Sequence, residues 1–137
     1  MTRDVVVDAS VWVNSLVPSD VNHVRCLAWF RAQASDGGAL VAPALLLPEL
    51  AGSISRRTGD RTMALDIVAR LVASPNLRLE AVDEPMGTLA ARLAAEHGLR
   101  GADAVYVATA FRLGLPLVSL DRQQLDRAQA VVTVISP

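Results

Sequence analysis

Lysine is absent from this 137-residue chain, and all thirteen basic side chains are arginine. A Walker-type phosphate loop, a Schiff-base enzyme and a lysine general base are thereby excluded. Cysteine is limited to Cys26, which removes an intramolecular disulfide framework and any cysteine-rich metal site. Its setting, Arg25-Cys26-Leu27-Ala28-Trp29, reads as helix, with the thiol in a packing role. Apolar runs stay short of the roughly 18 residues that span a bilayer, and the longest carry proline or acidic residues. The N-terminus, Met1-Thr2-Arg3-Asp4, lacks a signal-peptide layout, so a cytoplasmic protein without membrane attachment is expected. Only two histidines occur, His23 and His97, in unrelated surface or cap contexts. No Ser-His-Asp or Cys-His catalytic set can be assembled from them. A net charge of −1 also argues against a general nucleic-acid coating protein.

What is present is apolar: 52% of residues are hydrophobic and 20% charged, which favours self-association. The length suits one domain with a real core, and no repeat, linker or low-complexity tract divides it. Val5-Val6-Val7 reads as a buried strand, β-branched and without polar alternation. A short helix follows to residue 16, stopped by Pro18, and Asp20 is placed to cap a second helix to about residue 34. A strand at 40–42 leads into a helix from Pro43 or Ala44 through Glu49 to about Arg57. Asp60 caps a further helix with Met63, Ile67 and Leu71 at helical spacing. Residues 76–82 alternate as a strand, and Pro85 opens a helix closed at His97-Gly98. Asp103 heads an apolar helix over 104–113, a strand at 117–120 runs into Asp121, and a short helix and a strand at 131–135 follow.

Strands alternating with helices predict a parallel sheet covered on both faces. Right-handed crossovers then bring every strand-to-helix turn to one edge, where open α/β sheets bind ligands. Most of the fourteen acidic residues have ordinary roles there or elsewhere: Asp20, Asp36 and Asp60 as caps or turns, Asp66 paired with Arg70. Four are harder to dismiss. Asp8 stands in Val5-Val6-Val7-Asp8-Ala9-Ser10-Val11-Trp12, where an unpaired carboxylate is costly, although it could cap the next helix. Asp103 opens an almost wholly apolar helix, again with a cap as the plain alternative. Glu49 lies mid-helix between apolar flanks, and Asp121 ends a strand. Carboxylates gathered at one edge repel one another unless a cation intervenes, and hard oxygen ligands suit Mg2+ or Mn2+ rather than zinc. Such ions activate water and clamp the oxygens of a phosphodiester.

Four segments in order carry a resemblance: strand-Asp8-Ala9-Ser10; Pro48-Glu49; Gly101-Ala-Asp103-Ala-Val-Tyr-Val-Ala-Thr-Ala; and Leu-Val-Ser119-Leu-Asp121. Together they resemble the PIN-domain family over the whole chain, and more narrowly the VapC-type toxins of bacterial and archaeal type II toxin–antitoxin pairs. That resemblance implies a five-stranded parallel sheet ordered 3-2-1-4-5, with helices on both faces. Its near-invariant acidic triad matches Asp8, Glu49 and Asp103, and its more variable fourth position matches Asp121. All four would serve as catalytic metal ligands for Mg2+ or Mn2+. Ser10 and Ser119 match small hydroxyl positions that hydrogen-bond carboxylates or water beside the metal. The implied activity is endonucleolytic cleavage of tRNA or rRNA by metal-activated water, and the implied partners are a second copy of the chain and a small antitoxin.

Arg100 and Arg122 adjoin Asp103 and Asp121 and are the expected contacts to RNA phosphate, with Arg56 and Arg57 farther along Glu49's helix. Trp12 and Trp29 have apolar helical neighbours and are expected to pack in the core or a dimer rather than stack bases. The main non-enzyme alternative is a catalytically inactive PIN-like interaction module, whose sign would be a missing acid; none is missing here. A response-regulator receiver needs a lysine, and a haloacid-dehalogenase-like phosphatase wants aspartate where Ser10 stands.

Overall fold

The computed structural model describes residues 3–137; Met1 and Thr2, read above as leading into the first strand without a leader, lie outside them. Strand β1 (Val5–Val7) is continuous valine because the sheet buries it from both sides. Helices α1 (Ala9–Leu16) and α2 (His23–Asp36) follow, then β2 (Leu40–Pro43), α3 (Leu46–Thr58) and α4 (Arg61–Ala73). Next come β3 (Leu77–Glu80), α5 (Glu84–His97), α6 (Gly101–Leu113), β4 (Leu117–Val118), α7 (Arg122–Ala128) and β5 (Val134–Ile135). All pairings are parallel, in the order β3-β2-β1-β4-β5. The expected fold class and strand order are therefore those found.

Two apolar layers follow from this topology. Val6 packs with Val41, Leu93, Tyr106, Val107 and Leu117 on one face. Val5 and Val7 turn to the other face, with Val11, Trp12, Leu46, Leu50 and Ile54. Each fully buried valine contributes about 1.5–3 kcal/mol of transfer free energy, so the central strand is anchored from both sides. Cys26 is buried in the second layer as a free thiol. Trp12 packs at 4.6 Å from Phe30, which also meets Trp29 at 5.1 Å. Trp12 is thus a core residue. Among the described residues, no helix is long and apolar enough to cross a membrane.

Element boundaries differ from the sequence expectation where side chains find other partners. Asp20 does not cap α2: Asn22 occupies that position, and the Asp20 carboxylate pairs with Arg57. Helix α3 starts at Leu46 because Pro43 still pairs in the sheet and the Ala44 N–H donates to the Glu80 carbonyl at 2.8 Å. Helix α6 starts at Gly101, which moves Asp103 from the cap into the first turn. Strand β4 ends at Val118, where the Leu120 N–H turns away to the Ser10 hydroxyl. Strand β5 covers only Val134–Ile135, because the N–H groups of Val131 and Val132 close onto the Ala128 carbonyl.

The register of β1 against β2 fixes where Asp8 emerges, and it is set at the strand entrances. The Asp4 carboxylate accepts from the Ala39 N–H at 2.8 Å, and the Val5 N–H donates to the Ala39 carbonyl at 3.1 Å. Gly38 permits this approach: a Cβ there would sit 2.3 Å from the Arg3 carbonyl oxygen and 2.5 Å from its carbon. Those are backbone atoms, so the strand entrance itself would have to move. Gly38→Ala should therefore lose about 1–3 kcal/mol in denaturant unfolding. Gly87→Ala on α5, where a Cβ meets nothing within 4 Å, should gain up to about 1 kcal/mol. Equal effects of the two substitutions would contradict this packing.

Candidate active site

Asp8 leaves the end of β1 and caps α1, with its N–H held by the Val118 carbonyl of β4 at 2.9 Å. It is only 6% exposed. Three donors converge on one oxygen: Oδ2 faces the Ser10 N–H at 3.2 Å, the Ser10 hydroxyl at 2.5 Å and the Ser119 hydroxyl at 3.2 Å. Oδ1 accepts nothing from the described residues. Ser119 has a single proton and also lies 2.9 Å from Gln124 Oε1, so it serves one acceptor at a time. Both serines link strand ends as well, since Ser10 Oγ accepts from Leu120 N–H and Ser119 Oγ from Asp121 N–H.

Glu49 lies in the first turn of α3, above the end of β2. Tyr106, 1% exposed in α6, donates to Glu49 Oε1 at 2.7 Å, while Oε2 accepts from no described residue. Asp103, also in the first turn of α6, uses Oδ2 to accept from Arg100 Nε at 3.0 Å, and its Oδ1 accepts from no described residue. Its backbone carbonyl accepts from Gln124 Nε2 at 3.3 Å. Asp121 differs. As the cap of α7 it accepts the Gln123 and Gln124 N–H groups at Oδ1, and Arg100 donates to its Oδ2 at 2.8 Å. Both of its oxygens are occupied, whereas Asp8, Glu49 and Asp103 each present one.

The electrostatics bind those three into one unit. Burial pushes the Asp8 carboxyl above its ordinary value, opposed by the Ser10 bonds and reinforced by the charge of Asp103. Burial likewise raises Glu49, opposed by the Tyr106 hydrogen bond and reinforced by Asp8 and Asp103. Tyr106 is held far above the usual phenol range by burial, by its bond to Glu49 and by the same charges. Arg100 is the local counter-cation, bridging Asp103 and Asp121 with a side chain 74% exposed. An ion pair that open to water is worth about 0–1 kcal/mol and yields easily to a stronger cation.

The donor set suits a divalent ion of the magnesium class. Hard carboxylate oxygens are offered, and the charge of Asp103 bears on both Asp8 and Glu49. Among the described residues, no group of three or more His, Cys, Asp or Glu side chains is arranged so that it could hold a metal ion together. An open set matches an ion that retains several waters while held by one or two carboxylates.

Of the arginines expected at phosphate, Arg100 has its donors on Asp103 and Asp121, while Arg122 lines a separate recess beside Arg25 and Asp126. Two residues were not singled out by sequence. Tyr106 follows Asp103 by one helical turn, a spacing that puts both on one face. Gln124 follows the Asp121 cap by three residues, the spacing of a capping box, but ties Ser119 to the Asp103 carbonyl instead.

The folded protein binds the Asp8 proton more tightly than the unfolded chain does. The stability tied to this group is therefore full below the ordinary carboxylate range near pH 4 and is lost as pH rises through the raised folded value. Asn keeps the cap and places its amide at the Oδ1 position, which accepts nothing from the described residues. In chelator at neutral pH, Asp8→Asn should raise stability by about 0.5–2 kcal/mol, or roughly 2–6 °C in Tm. The gain should shrink as pH falls toward 4; a variant less stable than wild type at neutral pH would contradict the arrangement.

Similarity to known proteins fits this geometry. Among solved structures, VapC20 of Mycobacterium tuberculosis, described as a sarcin-ricin loop cleaving toxin, superposes with a TM-score of 0.79 at 23% identity. The match covers 97% of this chain and 99% of that one. A chain of FitAcB from Neisseria gonorrhoeae gives 0.71 at 23% identity over 96% of both chains. A chain of DNA-bound VapBC from Salmonella typhimurium gives 0.73 at 15% identity, over 99% of this chain and 98% of that one. No curated protein matches the sequence. The PIN domain family model matches residues 5–130, nearly the whole chain, and the protein belongs to the PIN domain family.

Proposed function

We propose that this chain is a metal-dependent endoribonuclease of the VapC type, the toxin of a type II toxin–antitoxin pair. The carrying observation is that Asp8, Glu49 and Asp103 each have one carboxylate oxygen without a donor among the described residues at the carboxyl edge of the sheet, and that the charge of Asp103 bears on both Asp8 and Glu49. These three would hold Mg2+ or Mn2+. Asp121, capped at both oxygens, would act through Arg100 and through water. A divalent ion at this edge would supply Lewis-acid charge to a phosphodiester and make water a better nucleophile.

The protein's own residues do the positioning. Ser10 and Ser119 fix the Asp8 carboxylate through Oδ2 and leave Oδ1 without a donor among the described residues. Tyr106 fixes Glu49, and Gln124 locks the start of α6 to the end of β4. Arg100, which pairs with Asp103 and Asp121 from a largely exposed side chain, would meet the added negative charge of RNA. Arg122 remains a candidate phosphate contact at the rim. The reading includes a cytoplasmic setting, a small antitoxin and a homodimer. Exposed apolar side chains at Val21, Val24, Leu65 and Val72 support association with protein partners.

Antitoxin-free protein incubated with cellular RNA and Mg2+ or Mn2+ should yield a small set of defined cleavage ends. Chelator should abolish them, and Asp8→Asn or Asp103→Asn should lower the rate at least about a thousandfold with the fold retained. Full activity of Asp8→Asn, or of wild type in chelator, would defeat this reading. Absence of cleavage in any RNA would favour the inactive interaction module instead.

A further inference from the structure

Glu49 begins a stripe along α3. Glu49, Gly52, Ser53 and Arg56 fall at positions i, i+3, i+4 and i+7, so all four share one face of the helix. Across from it, Ser10 and Asn14 form a matching pair on α1, and the Asn14 side-chain amide donates to the Ser10 carbonyl at 2.7 Å. Between the two helices runs an open groove of about 270 Å3, lined by Ser10, Asn14, Glu49, Ser53, Arg56 and Arg57 among others. One end of this groove is therefore a carboxylate of the candidate active site, and the other is cationic.

Its two arginines are not equivalent. Arg57 is engaged by Asp20. Arg56 has no carboxylate partner among the described residues. Its guanidinium folds back over Gly52, where a Cβ would lie only 3.0 Å from its terminal nitrogen. Helical side chains lean toward the N-terminus, so this posture carries the charge toward Glu49. The head group sits above a residue three positions beyond Glu49, about 4.5 Å along the axis. Glycine at 52 thus leaves room for an unpaired cation to lie beside the acidic edge. Carboxylates that hold a cation and an unpaired guanidinium one turn away make a two-point site for a chain of phosphates.

We propose that the α1/α3 groove is a subsite for single-stranded RNA backbone. Arg56 takes the phosphate next to the scissile one, Ser53 adds a hydroxyl, and Gly52 keeps the guanidinium in place. This rests on the nuclease reading and deepens it. Arg56 is a positioning and binding residue, and its loss removes attraction that substrate and transition state share. The effect should appear in KM far more than in kcat.

The test uses full-length protein carrying Asp8→Asn to prevent cleavage, a fluorescent single-stranded oligoribonucleotide, and binding measured across a salt series in Mg2+. Adding Arg56→Gln should weaken binding about tenfold and lower the salt slope by about 0.7, the value for one lost phosphate contact on a single strand. Gly52→Ala should give a smaller loss that vanishes when Arg56 is already glutamine, because the glycine acts only through that arginine. Arg92→Gln, an exposed charge paired with Glu96 on α5, should leave binding and slope unchanged. Unaltered melting temperatures would show that the variants fold. If Arg56→Gln leaves affinity and slope unchanged, or if Arg92→Gln weakens binding equally, the groove assignment is overturned while wild-type cleavage leaves the nuclease reading standing. If wild type neither binds nor cuts RNA, the nuclease reading itself fails.

Discussion

The structure is organised around a repulsion. Asp8 emerges from an all-valine strand into a setting where it is 6% exposed, and it shares the sheet edge with Glu49 and Asp103. Burial and like charge both oppose ionisation there, and a fold has no stability reason to assemble such a group. The polar contacts around it make sense as a means of holding these anions in place without neutralising them. Ser10 and Ser119 bond one oxygen of Asp8 and leave the other, and Tyr106 does the same for Glu49.

The cost of that edge is offset far from it. Two apolar layers clamp β1 from opposite sides, so the carboxylates sit on the most heavily buried strand and on the helices packed against it. Arg100 makes the only ion pairs to Asp103 and Asp121 among the described residues, and it does so from water, where an ion pair is weak. Under the proposed function, this exposed counter-charge would yield to an external cation at the edge. Asp121 stands apart because α7 uses it as a cap. It also joins Arg100 to the end of β4 through its side chain and its N–H.

The pattern of short β-branched strands between helices was enough to read the parallel sheet, its strand order through family resemblance, and the edge that carries the acids. Asp8 was legible because a carboxylate amid valines is locally costly, and Asp121 because it ends a strand. Glu49 was not legible from its own surroundings; its partner Tyr106 comes from a helix distant in sequence, and no local pattern reports such a contact. The same reason hid Gln124. Asp103 looked like a cap but lies inside the first turn, since Arg100 takes the cap position with extended backbone. Proximity in sequence also favoured Arg100 and Arg122 as free phosphate contacts. Three-dimensional placement pairs Arg100 with two carboxylates and puts Arg56, seven residues from Glu49, beside the groove with no carboxylate partner among the described residues.

The proposed function requires that the sheet edge hold a cation on Asp8, Glu49 and Asp103. Anomalous diffraction from crystals grown with Mn2+ measures it directly. The account expects a strong peak at about 2.0–2.3 Å from at least two of the three free carboxylate oxygens, with Arg100 displaced from Asp103 and the peak lost in Asp8→Asn crystals. An edge without a peak at saturating Mn2+, with Arg100 still bridging Asp103 and Asp121, would contradict it.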